Sequence, residues 1–185
     1  MAEYYLISQL PSLDGVGESA PIPITEESFL ELCGRFLGKK AQNEIKNLTL
    51  SPSRNIEKSD SALIDKWNRD EQSLRFALGK VRAEKLNRHF DTENRALPVE
   101  HIKAASVALE MENPMEAEKY LNRYRLSILE SLRPQDGFSK DYIYYYGLKL
   151  KLLLRIRQFD IDKGEASYKN IYSSILSGED LEARK

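Results

Sequence analysis

One cysteine, two histidines and one tryptophan are all that the 185 residues hold of those types. A lone Cys33 rules out an internal disulfide, and so few thiols and imidazoles leave no Cys/His set from which a zinc site could be built. A reducing cytoplasm suits such a chain. Glycine is scarce as well, with nine residues. There is no glycine-rich phosphate loop, no nucleophile elbow and no His-Glu metalloprotease pair. The carboxylates are spread among charge pairs, so spacing singles out no glycosidase-like couple. The expectation is a non-enzyme with no cofactor and no metal. Charge of one sign is missing too: 28 Lys and Arg stand against 29 Asp and Glu, a formal net charge of -1. That balance argues against a nucleic-acid partner, which a basic excess ordinarily recognises. No apolar run reaches the 18 or so residues of a membrane helix, and the start Met1-Ala2-Glu3-Tyr4-Tyr5 lacks a basic region followed by an apolar one. The expected location is cytoplasmic, with no direct membrane insertion and contact with the inner membrane only through partners.

What the chain does contain is helix-forming material, with 31% charged residues and apolar residues recurring at three- and four-residue steps. The reading is all-α, a bundle of about six or seven helices around a central C-terminal helix, with one long helix over about 60–90. Residues 1–24 form an apolar opening, for which strand and helix are both allowed, and a Pro/Gly loop containing Pro11, Gly15, Gly17, Pro21 and Pro23. Residues 25–178 form one helical domain with room for two lobes, and 179–185 a loose tail. Thr25 caps a helix whose stripe includes Cys33, which reads as a buried structural thiol, and Gly38 offers a left-handed stop. A short helix carrying Ala41, Ile45 and Leu48 follows. Pro98 opens another helix, with Val99, Ile102, Ala105 and Leu109 as its apolar face. Asn113-Pro114-Met115-Glu116 is a capped start. In the helix it opens, Ala117, Leu121, Tyr124, Ile128 and Leu132 face inward, and Arg123 and Arg125 outward.

Ser139–Phe159, SKDYIYYYGLKLKLLLRIRQF, is the segment around which the rest is arranged. It carries too much apolar surface for a solvated helix and too many cations for a membrane span. Its cations leave the core along one edge, and Lys149, Lys151, Arg155 and Arg157 are the candidate partner-binding residues. On the long helix Glu71 interrupts the apolar stripe, with Arg75 four residues on and Arg82 two turns further. Glu71, Arg75 and Arg82 are therefore the candidate buried charge network. His89 and His101 read as packed or surface residues. Asp160-Ile161-Asp162-Lys163-Gly164 mimics a calcium loop, but its glycine comes one position early and Ile171 stands where the closing Glu belongs. A last helix is read from Gly164 to Gly178, carrying Ile171, Tyr172, Ile175 and Leu176. The basic, tyrosine-rich region 123–157 offers an alternative function, a helical nucleic-acid-binding or generic adaptor module in which bases stack on tyrosines. Such tyrosines equally serve a core or a protein interface.

Several features in order resemble an uncharacterised bacterial family encoded among the subunits of V-type (A/V-type) ATPases, itself similar to the C-type subunit of those ATPases, known as d in eukaryotes. They are Tyr4-Tyr5-Leu6 with Leu10-Pro11, Trp67 with Leu74-Arg75 and Arg82-Ala83, and Asn113-Pro114 with Glu116-Ala117-Glu118. Tyr146-Gly147-Leu148-Lys149-Leu150-Lys151 with Arg155, Phe159 and Gly164 completes the set. The resemblance implies an α-helical, non-catalytic coupling piece that binds other ATPase subunits, the central shaft or the membrane ring, in a machine for ion transport. Proteins of the C-type are longer and repeat a helical unit about a pseudo-threefold axis, so this chain is too short for the whole funnel. Phe76 stands where that pattern leads one to expect a polar residue.

Overall fold

The computed structural model describes residues 2–16, 20–53, 58–91, 95–158 and 168–173. Among these residues there is no strand. The helices are α1 (Ala2–Gln9), α2 (Glu26–Phe36), α3 (Lys39–Lys46), α4 (Ala62–Lys85), α5 (Val99–Glu110), α6 (Pro114–Ser131) and α7 (Lys140–Gln158). A short helical stretch over 168–173 follows. The fold is an all-α multi-helix bundle.

Side-chain caps set several of the starts. Thr25 Oγ1 accepts from the Ser28 amide at 3.2 Å, Ser61 Oγ from Ile64 at 3.3 Å, Asn113 Oδ1 from Met115 at 2.9 Å and Ser139 Oγ from Tyr142 at 3.2 Å. Each satisfies one amide that the first helical turn leaves without a partner. Helix α7 packs against α1, α2, α4 and α6. It is buried without a break from Ile143 to Leu150, as a central helix must be.

Apolar packing falls into two cores. The larger gathers Leu6, Leu13, Phe29, Cys33, Ile45, Leu63, Trp67 and Leu129 around the tyrosines and leucines of α7. The smaller lies between α4, α5 and α6 and consists of Leu74, Ala77, Leu78, Val81, Ala104, Ala105, Ala108 and Leu121. Leu6 and Leu13 place the segment before residue 24 inside the larger core, tied down where the Tyr146 hydroxyl donates to the Pro11 carbonyl at 2.8 Å.

Five details differ from the sequence reading. Helix α4 ends at Lys85 rather than near Phe90, because Asn87 adopts φ 49° and the Arg88 amide closes back on the Ala83 carbonyl at 2.8 Å. An asparagine in the left-handed region is a strong helix stop. Gly38 is no left-handed stop: at φ -69° it is the N-cap of α3. Pro98 is the N-cap of α5 rather than its first residue. That helix buries His101, Ala104, Ala105 and Ala108, leaving Val99 exposed, because small residues let α5 lie close against α4. Helix α6 buries Leu121, Asn122, Arg125 and Leu129, a face turned by about one residue from the expected one. Phe159, the calcium-like stretch 160–164, the outer parts of the last helix and the tail lie outside the described residues.

Candidate functional site

Glu71 is 2% exposed and sits on α4 between Trp67 of the larger core and Leu74 of the smaller. Arg125, 5% exposed, holds the matching place on α6 between Leu121 and Leu129. Arg125 donates through Nε to Glu71 Oε2 at 2.9 Å and through Nη2 to Oε1 at 3.2 Å, while Arg75 Nε donates to Oε1 at 3.1 Å. The fork-to-fork pairing fixes α4 and α6 against each other in register. Arg125 Nη1 continues to Asn122 Oδ1 at 3.2 Å and to Glu118 at 3.6 Å, and Glu118 accepts from Arg155 Nη2 at 2.6 Å. Arg75 Nη2 donates to Ser51 Oγ at 2.6 Å. Three helices are thus laced by one chain of charges, and both Glu71 oxygens are already held by guanidinium groups.

Arg82, assigned to this network from sequence, does not join it and is exposed. It keeps the helix face of Glu71 but lies roughly 16 Å further along the axis, out of side-chain reach. The network member missed was Arg125, expected on the outside. Its partner is 54 positions away in the chain, and only the odd pairing of an arginine with Asn122 on a face otherwise filled by Leu121 and Leu129 signals its burial.

The cationic edge of α7 is used internally. Lys149 is 8% exposed, and its ammonium donates to Asp14 Oδ1 at 2.7 Å, Glu130 Oε1 at 2.7 Å and the Tyr145 hydroxyl at 3.3 Å. Burial alone would lower its pKa, but the hydrogen bonds to Asp14, Glu130 and Tyr145 outweigh it and hold the ammonium above the usual lysine range. In return the Lys149 hydrogen bond, only partly opposed by burial, holds Asp14 below the usual carboxylate range. Lys151 donates to Glu26 Oε1 at 2.6 Å. With Arg155 on Glu118, only Arg157 keeps a buried Nη2 without a hydrogen-bond partner among the described residues. Three of the four candidate partner-binding residues are thus paired with acidic side chains from the N-terminal loop, α2 and α6.

The tyrosines of α7 are equally committed. Tyr144 donates to Glu44, Tyr145 to Glu130 at 2.8 Å and Tyr146 to Pro11, with rings at most 3% exposed. Burial, helped by the Glu130 hydrogen bond, pushes the Tyr145 phenol up to about 12, and burial raises those of Tyr144 and Tyr146 as well. None of these three rings offers a face on which a base could stack.

Two features escaped the sequence reading. A pocket of about 560 Å³ opens between α3, α4 and α7, with Leu48, Ile64 and Trp67 along its wall. Three of its charged rim residues are internally paired: Lys40 bridges Asp60, and Glu44 accepts from Tyr144 and from Lys140 Nζ at 2.9 Å. Among the described residues no three His, Cys, Asp or Glu side chains are grouped so as to hold a metal ion. The second feature is a cluster of exposed rings. Tyr4, Tyr5 and Phe138 are each more than half exposed, with ring centroids 4.8 Å apart for Tyr4–Phe138 and 5.9 Å for Tyr4–Tyr5. The turn before α7 brings Phe138 to the start of α1, a meeting that the spacing of 134 positions conceals.

Fold and side-chain chemistry together define an all-helical protein whose internal charges serve as ties between helices. Among the described residues no helix is long and apolar enough to cross a membrane. No family model, no curated protein and no solved structure matches the chain.

Proposed function

We propose that this chain is a non-catalytic structural or coupling component associated with a V-type (A/V-type) ATPase, similar to the C-type subunit of such machines, that binds other subunits through a helical surface. The observation that carries the reading is the exposed cluster of Tyr4, Tyr5 and Phe138. Three adjoining rings held in water are unfavourable unless a partner covers them, and protein interfaces are enriched in such side chains. Tyr4-Tyr5 also opens the run of residues on which the family resemblance rests, and Leu6 beside them is anchored in the core. The non-catalytic part draws support from Glu71, Glu44 and Lys149, whose hydrogen bonds go to neighbouring side chains. Its partners in this reading are the central shaft or the membrane ring, and it meets the membrane only through them.

The test is affinity purification from native lysate with the recovered proteins identified by mass spectrometry. The tagged chain is expected to recover ATPase subunits, and Tyr4→Ser/Tyr5→Ser/Phe138→Ser to lose most of them while keeping its circular dichroism. Failure of the wild-type chain to recover any ATPase component sinks the reading.

A further inference from the structure

His101 is 5% exposed and faces the interface of three helices. Its Nδ1 lies 2.8 Å from the Tyr124 hydroxyl of α6, with the two rings edge to face at 5.8 Å. It shares the buried face of α5 with Ala104, Ala105 and Ala108, and those alanines belong to the smaller core. The charged groups acting on it are Asp70 and Glu71 from α4 and Glu100 from α5, while α6 presents the neutral Tyr124. Glu71 is neutralised by Arg75 and Arg125. Helix α5 packs on α4 and α6. Besides apolar packing that includes Ile102 and Leu109, the polar ties that hold it among the described residues are the His101–Tyr124 bond and a bond from Lys85 Nζ to the Leu109 carbonyl at 2.5 Å.

We propose that His101 is a proton-responsive latch for helix α5, and that acidification through the histidine range loosens α5 from α4 and α6 while the larger core stays packed. A neutral imidazole can take the Tyr124 hydroxyl proton on a bare Nδ1. A second proton occupies that nitrogen, so the phenol must turn round to accept, and a cation is left in a site only 5% exposed.

Burial lowers the pKa of His101, and the attraction of Asp70, Glu100 and Glu71 only partly opposes it. The sign follows by linkage. A histidine with a depressed folded pKa adds stability that is complete above its unfolded value of about 6.5, and that stability is lost as pH falls through the lower folded value. Asp70 acts in the opposite sense, because burial raises its pKa and the folded state gains when it is protonated. That gain sets in as pH falls through the raised folded value and is complete below the unfolded value near 3.9, and the same protonation removes an anion whose charge favours protonated His101.

The test combines ring-labelled histidine NMR with hydrogen exchange between pH 7.5 and 5. The chain has two histidines, and exposed His89 provides the internal comparison. The His101 resonance is expected to titrate below about 6.5. Protection of α5 amides, corrected for intrinsic exchange, is expected to fall about tenfold for each unit of that depression, with α2 and α7 unchanged. In His101→Gln the pH dependence should vanish. Equal loss in every helix, a His101 titration at or above 6.5, or an undiminished response in His101→Gln overturns the proposal. The first two readings use the wild-type chain, so they stand even if the variant does not fold.

Discussion

Helices α4 and α6 run through both cores, and what they meet at their two ends is different. At one end Trp67 and Leu129 enter a core of Phe29, Ile143, three tyrosines and a row of leucines from α7. At the other, Leu74 and Leu121 meet α5, whose buried apolar residues are Ala104, Ala105 and Ala108, with Ile102 and Leu109 partly buried beside them. Fully burying a large apolar side chain contributes about 1.5–3 kcal/mol, whereas an alanine offers a single methyl. The larger core buries most of the large apolar side chains, while the fully buried apolar residues that α5 adds to the smaller core are small. The boundary between the two is the Glu71–Arg125 pair, one turn from each core on both helices. Close packing of small residues and a buried ion pair both fix geometry better than they add free energy.

The pair is the place to break that arrangement with the largest effect. Glu71→Ala leaves the Arg125 guanidinium buried without its carboxylate and is expected to cost about 3–5 kcal/mol, read as a lower urea midpoint. Glu71→Leu with Arg125→Met removes both charges and should recover most of that loss. If the double variant is no better than Glu71→Ala, the ion pair contributes net stability and the contrast between the two cores fails at their boundary. Next in size come leucine truncations on either side of the pair. Leu148→Ala and Leu74→Ala each empty a fully buried site and should cost about 2–5 kcal/mol. The comparison lies in the pattern: Leu148→Ala should raise amide exchange throughout the chain, Leu74→Ala chiefly in α5 and the adjoining half of α4. Uniform exchange changes in both would mean one cooperative core.

Much of this architecture was legible from residue spacing. The helical class, the capped starts at Thr25, Asn113 and Ser139, the stripe of α4 and the centrality of α7 all follow from local periodicity, which is a property of neighbours in the chain. The faces of α5 and α6 followed only in part: Ile102, Ala105, Leu109, Ala117, Leu121 and Tyr124 do pack on the smaller core, but the most buried positions are decided by side chains far apart in sequence. Arg125 turns inward for Glu71, and α5 shows its alanines to α4 although Val99 and Ile102 are the more apolar residues. The same limit applied to the candidate site. Lys149, Lys151 and Arg155 looked like free cations on an edge until Asp14, Glu26, Glu118 and Glu130 were brought to them from other elements. Arg82 shares the helical phase of Glu71, but two further turns of rise beyond Arg75 carry it out of side-chain reach.

The smallest predicted effects test the two cores through their glycines. A Cβ on Gly147 would lie 3.1 Å from both Leu48 Cδ1 and Phe29 Cε1, and Phe29, 2% exposed inside the larger core, has the less room to give. Alanine gains about 1 kcal/mol of helix propensity there. Overpacking of about 1–3 kcal/mol works against it, so a modest net loss is expected. On Gly79 the Cβ would approach the Phe90 ring more closely still, at 2.5 Å from Cζ. Phe90, however, lies in the segment after α4, half-buried against Phe76 with ring centroids 6.1 Å apart. Its ring can swing aside, giving up about 0.5–1.5 kcal/mol of aromatic contact against the same propensity gain. Gly79→Ala should consequently sit near the wild-type urea midpoint despite the shorter distance, and Gly147→Ala below it. The reverse order would place the unyielding packing around α4 and Phe90 rather than around α7.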